Sequence, residues 1–228
     1  MKTQRDHIPS EDLEDRFCAL WDRCLCKRLG LDARGVYREV AACYGEPHRS
    51  YHTLKHLEHT LHQLDLVGNR LGHPDAVEMA LWFHDIVYKP AGATNELESA
   101  ELFLARAGKC LPGNFVKEVY DLILATAHRQ IPRTKDAKYL SDIDLSGLGL
   151  PWKSFWKDSK AIREELALLP DDVFYLRQIP FLDILLARPR IFCSDFFYFR
   201  YENIARQNIA RLLARVRHKV KLQAAIAC

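Results

Sequence analysis

Five of the ten histidines fall in one short stretch, at His48, His52, His56, His59 and His62. His52, His56 and His59 are spaced four and three apart, so on a helix they share one face. Leu54, Leu57, Leu61 and Leu64 form a second stripe that points nearly the opposite way. Such a segment packs its leucines on a core and presents imidazoles on its other side. That imidazole face reads either as the wet side of an amphipathic helix or as a set of metal ligands, and spacing alone favours the wet side. A second segment shifts the balance. His84 and Asp85 stand inside MALWFHDIVY, where nearly every neighbour is apolar. A carboxylate buried there is costly unless it is paired or bound to a metal. The structural alternative is a buried His–Asp pair that hydrogen-bonds other residues. Two further places offer donors. His128 closes the apolar run ILATAH, where it also reads as a cation at a helix C-terminus. Asp142 and Asp144 lie in SDIDLSGLG, and the reading as helix N-cap and first-turn acid suits Asp142 better than Asp144.

These residues need helices to hold them, and the apolar periodicity supplies little else. Leu13, Phe17, Leu20, Trp21, Cys24, Leu25 and Leu29 recur every three or four residues, which predicts a helix over 11–29 stopped by Gly30. Further helices are predicted over about 32–44, 52–71 and 75–88, from Thr94 or Asn95 onward, and over about 114–128, 153–169, 171–188 and 195–218. Arg129–Lys138 reads as a polar loop around Pro132. Segments of strand-like composition, such as IFCSDFFYF, are too few to build a sheet. The expectation is an all-α chain forming one helical domain over 1–228, with its motif core over about 36–150 and added C-terminal helices over about 151–218.

Composition narrows the function classes. The 228 residues carry 33 Lys+Arg against 30 Asp+Glu, a net charge of +3, so no nucleic-acid polymer is expected as a partner. No apolar run is long enough to cross a membrane, and MKTQRDHIPSEDLEDR has no signal-peptide core, so a cytoplasmic chain without membrane contact is expected. The seven cysteines lack zinc-knuckle spacing and read as reduced, mostly buried thiols. Trp152, Phe155, Trp156 and the FCSDFFYF run offer an aromatic patch that would suit a homodimer.

The order His56, then His84–Asp85, then a distant Asp144 resembles the H…HD…D signature of the HD-domain metal phosphohydrolases. Longer blocks resemble one predicted HD phosphohydrolase family. They are YHTLKHLEH, ALWFHDIVYKP, NELESA, ILATAH, SDIDLSGLG and YENIARQNIARLL, in order from about residue 36 to about 215. The YHxxxH element is also similar to that of the cyclic-nucleotide phosphodiesterases. The chain departs from the family pattern at IREELAL, which lacks two aromatics, and at Arg129, where a second histidine is usual. Those departures bear on substrate choice where such groups line the pocket.

The resemblance implies a compact HD-type helical bundle in which His56, His84, Asp85 and Asp144 ligate one divalent ion. Two imidazoles and two carboxylates suit Mn, Fe, Co, Ni or Zn, with Mg also admissible. It implies further that His52 acts as general acid and that Glu96 orients the metal-bound water, against a plain second role for each as hydrogen-bond donor and first-turn helix acid. His128, Asp142 and Lys55 are the candidates to face substrate. The activity implied is hydrolysis of a small phosphorylated metabolite or nucleotide by metal-activated water. Two alternatives stand beside it, a non-catalytic metal-containing ligand-binding module and a di-iron oxygenase.

Overall fold

The computed structural model describes residues 10–25 and 32–226, with side chains described over 13–25 and 32–217. Among them are ten α-helices, two short 3₁₀ turns and no strand, so the all-α expectation is met. The chain gathers into two compact units, one ending at Gln130 and one beginning at Ile131. The division falls within the polar stretch around Pro132 and cuts through the motif core expected to run to about residue 150.

In the first unit, α1 (Ser10–Cys24) buries Leu13, Phe17, Leu20 and Trp21, the predicted three-and-four stripe. The predicted continuation to Leu29 and the stop at Gly30 lie outside the described residues. Helix α2 (Ala33–Tyr44) is capped by Asp32, whose side chain accepts from the Arg34 N–H, and it ends at Gly45. Helix α3 (Leu54–Asp65) is followed by a 3₁₀ turn over Gly68–Arg70. It buries Leu57, Leu61 and Leu64, and also His56, Thr60 and Gln63.

Helix α4 (Pro74–Phe83) opens with proline in its first turn and buries every residue from Ala76 to Phe83 except Glu78. It is the axis of the unit, packed by α1, α3, α5 (Asn95–Ala107) and α6 (Gly113–Ala125). Phe17 stacks on Trp21 at 5.7 Å and meets the Trp82 ring edge-on at 5.1 Å, and Phe83 meets Phe103 at 5.1 Å. This aromatic packing fixes the C-terminal end of α4, where the His–Asp pair follows.

The second unit holds α7 (Lys135–Leu145), a 3₁₀ turn over Ser146–Gly149, α8 (Trp152–Glu165), α9 (Asp171–Ala187) and the long α10 (Asp195–Ile226). Thr134 caps α7 by accepting from the Ala137 N–H, so a helix begins inside what reads as a loop up to Lys138. Helix α10 buries Phe197, Tyr201, Ala205, Ile209 and Leu212 and packs on the 3₁₀ turn and on α9. The close approach to the turn is made at Gly149, where a Cβ would lie 2.4 Å from the Tyr201 Cβ. Of the aromatic residues expected outside, Phe199 is exposed and Phe192 and Phe197 are buried. Phe155 is buried, while Trp152 and Trp156 stack at 5.8 Å beneath the guanidinium groups of Arg211 and Arg215.

Candidate metal centre

Helix α4 stops one residue short of the His–Asp pair, not at Tyr88 as its apolar run predicts. His84 keeps helical dihedrals, and the chain turns as the Ile86 N–H bonds the Phe83 carbonyl at 3.2 Å. That turn is why two adjacent side chains can face one point. The Nδ1 of His84 lies 2.7 Å from the Leu81 carbonyl. A carbonyl can only accept, so Nδ1 carries a proton and Nε2 is the nitrogen left to face the other groups. That Nε2 lies 3.1 Å from Asp85 Oδ2 and 3.2 Å from His56 Nε2. His56 Nε2 is 3.6 Å from the same carboxylate oxygen. His56 and His84 are buried, and the Asp85 side chain is 17% exposed.

The three donor atoms lie within 4.8 Å of one another, close enough to hold one metal ion. Two imidazoles and one carboxylate, with one ring oriented through its far nitrogen by a backbone carbonyl, fit a divalent transition metal. Burial disfavours the charged form of Asp85, yet His84, then His52 and His56, hold its carboxyl well below the usual carboxylate range.

His52 does not lie on the helix. α3 begins at Leu54 after an extended Thr53, so His52 sits in the bend before it and not one turn along a shared face. Its Nε2 still comes to 4.0 Å from Asp85 Oδ2, and its ring stacks on Tyr88 at 4.2 Å. Tyr51 packs against both His52 and His56, at 4.9 Å from each ring.

The segment after the pair is tied to α5. Asn95 accepts from the Lys89 N–H and donates to the Lys89 carbonyl, and Ser99 accepts from the Val87 N–H. A side chain at Gly92 would strike Asn95 Oδ1 at 2.5 Å. The NELESA block therefore serves the turn through Asn95 and Ser99. Glu96 is half-buried in the first turn of α5 and is not among the groups that converge on His56, His84 and Asp85.

The remaining candidates spread out. Lys55 is exposed in the first turn of α3. His128 falls beyond the end of α6 in a left-handed conformation, φ 52°, half-buried, and not in the last helical turn. Asp144 is half-buried inside α7 of the second unit. Asp142 is fully buried, and its two oxygens accept the Cys193 and Ser194 N–H groups at 2.7 Å each. That corrects its reading as a substrate contact and as a helix cap of the next short helix. It lies within α7 and anchors the bend before α10.

The most consequential residue missed by pattern is Arg49, which by its place at the start of the histidine stretch could meet a phosphate but reads more readily as a solvated surface charge. Its side chain is 0% exposed, and it donates to the carbonyls of His52, Asp85 and Ile86. Nothing in its sequence neighbourhood signals that burial. The C-terminal YENIARQNIARLL block is likewise structural. Glu202 accepts the Ile191 and Phe192 N–H groups, Arg206 donates to the carbonyls of Leu186 and Arg188, and Asn208 donates to those of Leu148 and Leu150. Compared with known proteins, the chain matches no family model, no curated protein and no solved structure.

Proposed function

We propose that the chain is a metal-dependent phosphohydrolase acting on a small phosphorylated metabolite. The observation that carries the proposal is the convergence of His56 Nε2, His84 Nε2 and Asp85 Oδ2 within 4.8 Å, with His84 oriented by the Leu81 carbonyl. When bound there, a divalent ion would supply an acidified water and charge neutralisation at a phosphoryl oxygen. The chain's own groups do the rest. His56 and His84 offer imidazole nitrogens in a buried setting, and Asp85 brings a negative charge that favours a cation. His52, 19% exposed and 4.0 Å from Asp85, would hand a proton to a leaving oxygen. The resemblance to HD phosphohydrolases supplies the reaction class and adds Asp144 as a fourth ligand.

The experiment is metal analysis of protein purified without chelator, joined to phosphate release from a panel of phosphate monoesters and diesters. One divalent ion per chain and a hydrolysed ester, both lost in His84→Ala, are expected. Stoichiometric metal with no phosphate released from any ester would leave only the ligand-binding alternative. Two irons per chain with oxygen uptake would replace hydrolysis with oxygenation.

A further inference from the structure

Three arginines in the chain share one chemistry. Each is partly or wholly buried, each donates to backbone carbonyls at a helix end, and each is held by a carboxylate. Arg163 joins the Leu166 and Leu169 carbonyls to Asp171. Arg206 joins the Leu186 and Arg188 carbonyls to Glu202. Arg49 joins the carbonyls of His52, Asp85 and Ile86 to Glu46. Only Arg49 grips the backbone of residues that carry the candidate metal chemistry.

We propose that Arg49, oriented by Glu46, is the positioning residue of the metal centre, setting the placement of Asp85 and His52 through their backbone carbonyls. The inference rests on the metal reading of His56, His84 and Asp85. The geometry is specific. Nη1 lies 2.6 Å from the Asp85 carbonyl and 3.3 Å from that of His52, and Nη2 lies 2.9 Å from the Ile86 carbonyl. Nε donates to Glu46 Oε2 at 3.0 Å. The guanidinium carbon sits 5.3 Å from the Tyr44 ring centre and 5.5 Å from that of Tyr88. Tyr44 in turn donates to the Trp82 carbonyl at 3.3 Å, one turn before the pair.

The turn after α4 leaves backbone acceptors in a buried place where water has little access. One planar cation fills them from two separate stretches of chain, the bend before α3 and the turn after α4. Its rigid fork fixes their spacing, and the two aromatic faces and Glu46 fix the fork. A lysine carries the same charge on a single atom and cannot span three carbonyls and a carboxylate. The cation also sits at the C-terminal end of α4, where the helix dipole favours it.

The test is Co²⁺ titration of the full chain, read by visible absorption and by competition with a chelator. Arg49→Lys and Arg49→Gln are expected to weaken Co²⁺ binding roughly 10- to 100-fold and to alter the absorption bands. Arg163→Lys, the same clamp in the second unit, is the control. It is expected to lower the melting temperature while leaving affinity and spectrum as in the parent chain. If the Arg49 variants do not fold, Glu46→Gln carries the test, with weaker binding and a changed spectrum expected. Folded Arg49 or Glu46 variants with unchanged affinity and spectrum would overturn the inference, as would an equal change in Arg163→Lys. A parent chain that binds no Co²⁺, or a His84→Ala variant that binds it equally well, would instead remove the metal reading itself.

Discussion

The chemistry of the site turns on which nitrogen of His84 faces its partners. The Leu81 carbonyl accepts from Nδ1–H, so Nε2 faces His56 and Asp85. In the metal-free chain the Asp85 carboxyl is held below its usual range by the neighbouring imidazoles, His84 foremost, against the opposing effect of burial. The sign follows from linkage. A carboxyl with a lowered folded value contributes stability above its unfolded value of about 3.9, and that contribution is lost only as pH falls through the lower folded value. Carbon-13 titration of the Asp85 carboxyl in the apoprotein should therefore show it ionised well below pH 4. In His84→Ala the midpoint should move up toward the ordinary carboxylate value. A midpoint unchanged between the two chains would mean that His84 does not govern Asp85.

At the scale of elements, polar side chains that read as chemistry prove to be joints. Asp142 projects from α7 to hold the two N–H groups that precede α10. Asp142→Ala would leave both N–H groups without their acceptor, at about 1–3 kcal/mol for each that stays buried. A urea midpoint well below that of the parent chain is expected, and an unchanged midpoint would contradict this role. Gly149 lets the 3₁₀ turn after α7 press against α10. In Gly149→Ala the new methyl would meet the Tyr201 Cβ and ring, which are buried and cannot swing away. A cost of about 1–3 kcal/mol is expected from thermal unfolding, the range for overpacking a closed core. The blocks NELESA, SDIDLSGLG and YENIARQNIARLL thus hold turns and helix ends through Asn95, Ser99, Asp142, Glu202, Arg206 and Asn208.

At the scale of the molecule, three of the candidate ligands belong to the unit that ends at Gln130, and Asp144 belongs to the other. A metal that binds only the folded chain raises its stability by mass action, about 4 kcal/mol at a thousandfold excess over the dissociation constant. Hydrogen exchange should show the gain in α3, in α4 and in the turn through Tyr88, and His84→Ala should abolish it. Protection that also rises in α7 would bring Asp144 into the ligand set, as the family resemblance implies. Protection confined to the first unit would limit the centre to His56, His84 and Asp85.

Helix content and the burial of α1 and α4 were legible from residue order, because they depend on periodicity and on neighbours a few positions away. His56, His84 and Asp85 were candidates from residue order too, since a carboxylate amid MALWFHDIVY is costly unless it is paired or bound to a metal. What residue order left open was every partnership made across the chain. His56 meets His84 across a separation of 28 positions, and Arg49 reaches the carbonyls of Asp85 and Ile86 across 36 and 37. Asp142 finds the bend before α10 over 51 and 52. A side chain's type states what it can donate or accept, but which backbone groups are left wanting depends on where helices end and turns close. Those vacancies exist only once the helices have packed, so the tertiary structure alone decided that Arg49 is a buried clamp, Asp142 an anchor and His52 a neighbour of Asp85 from outside the helix.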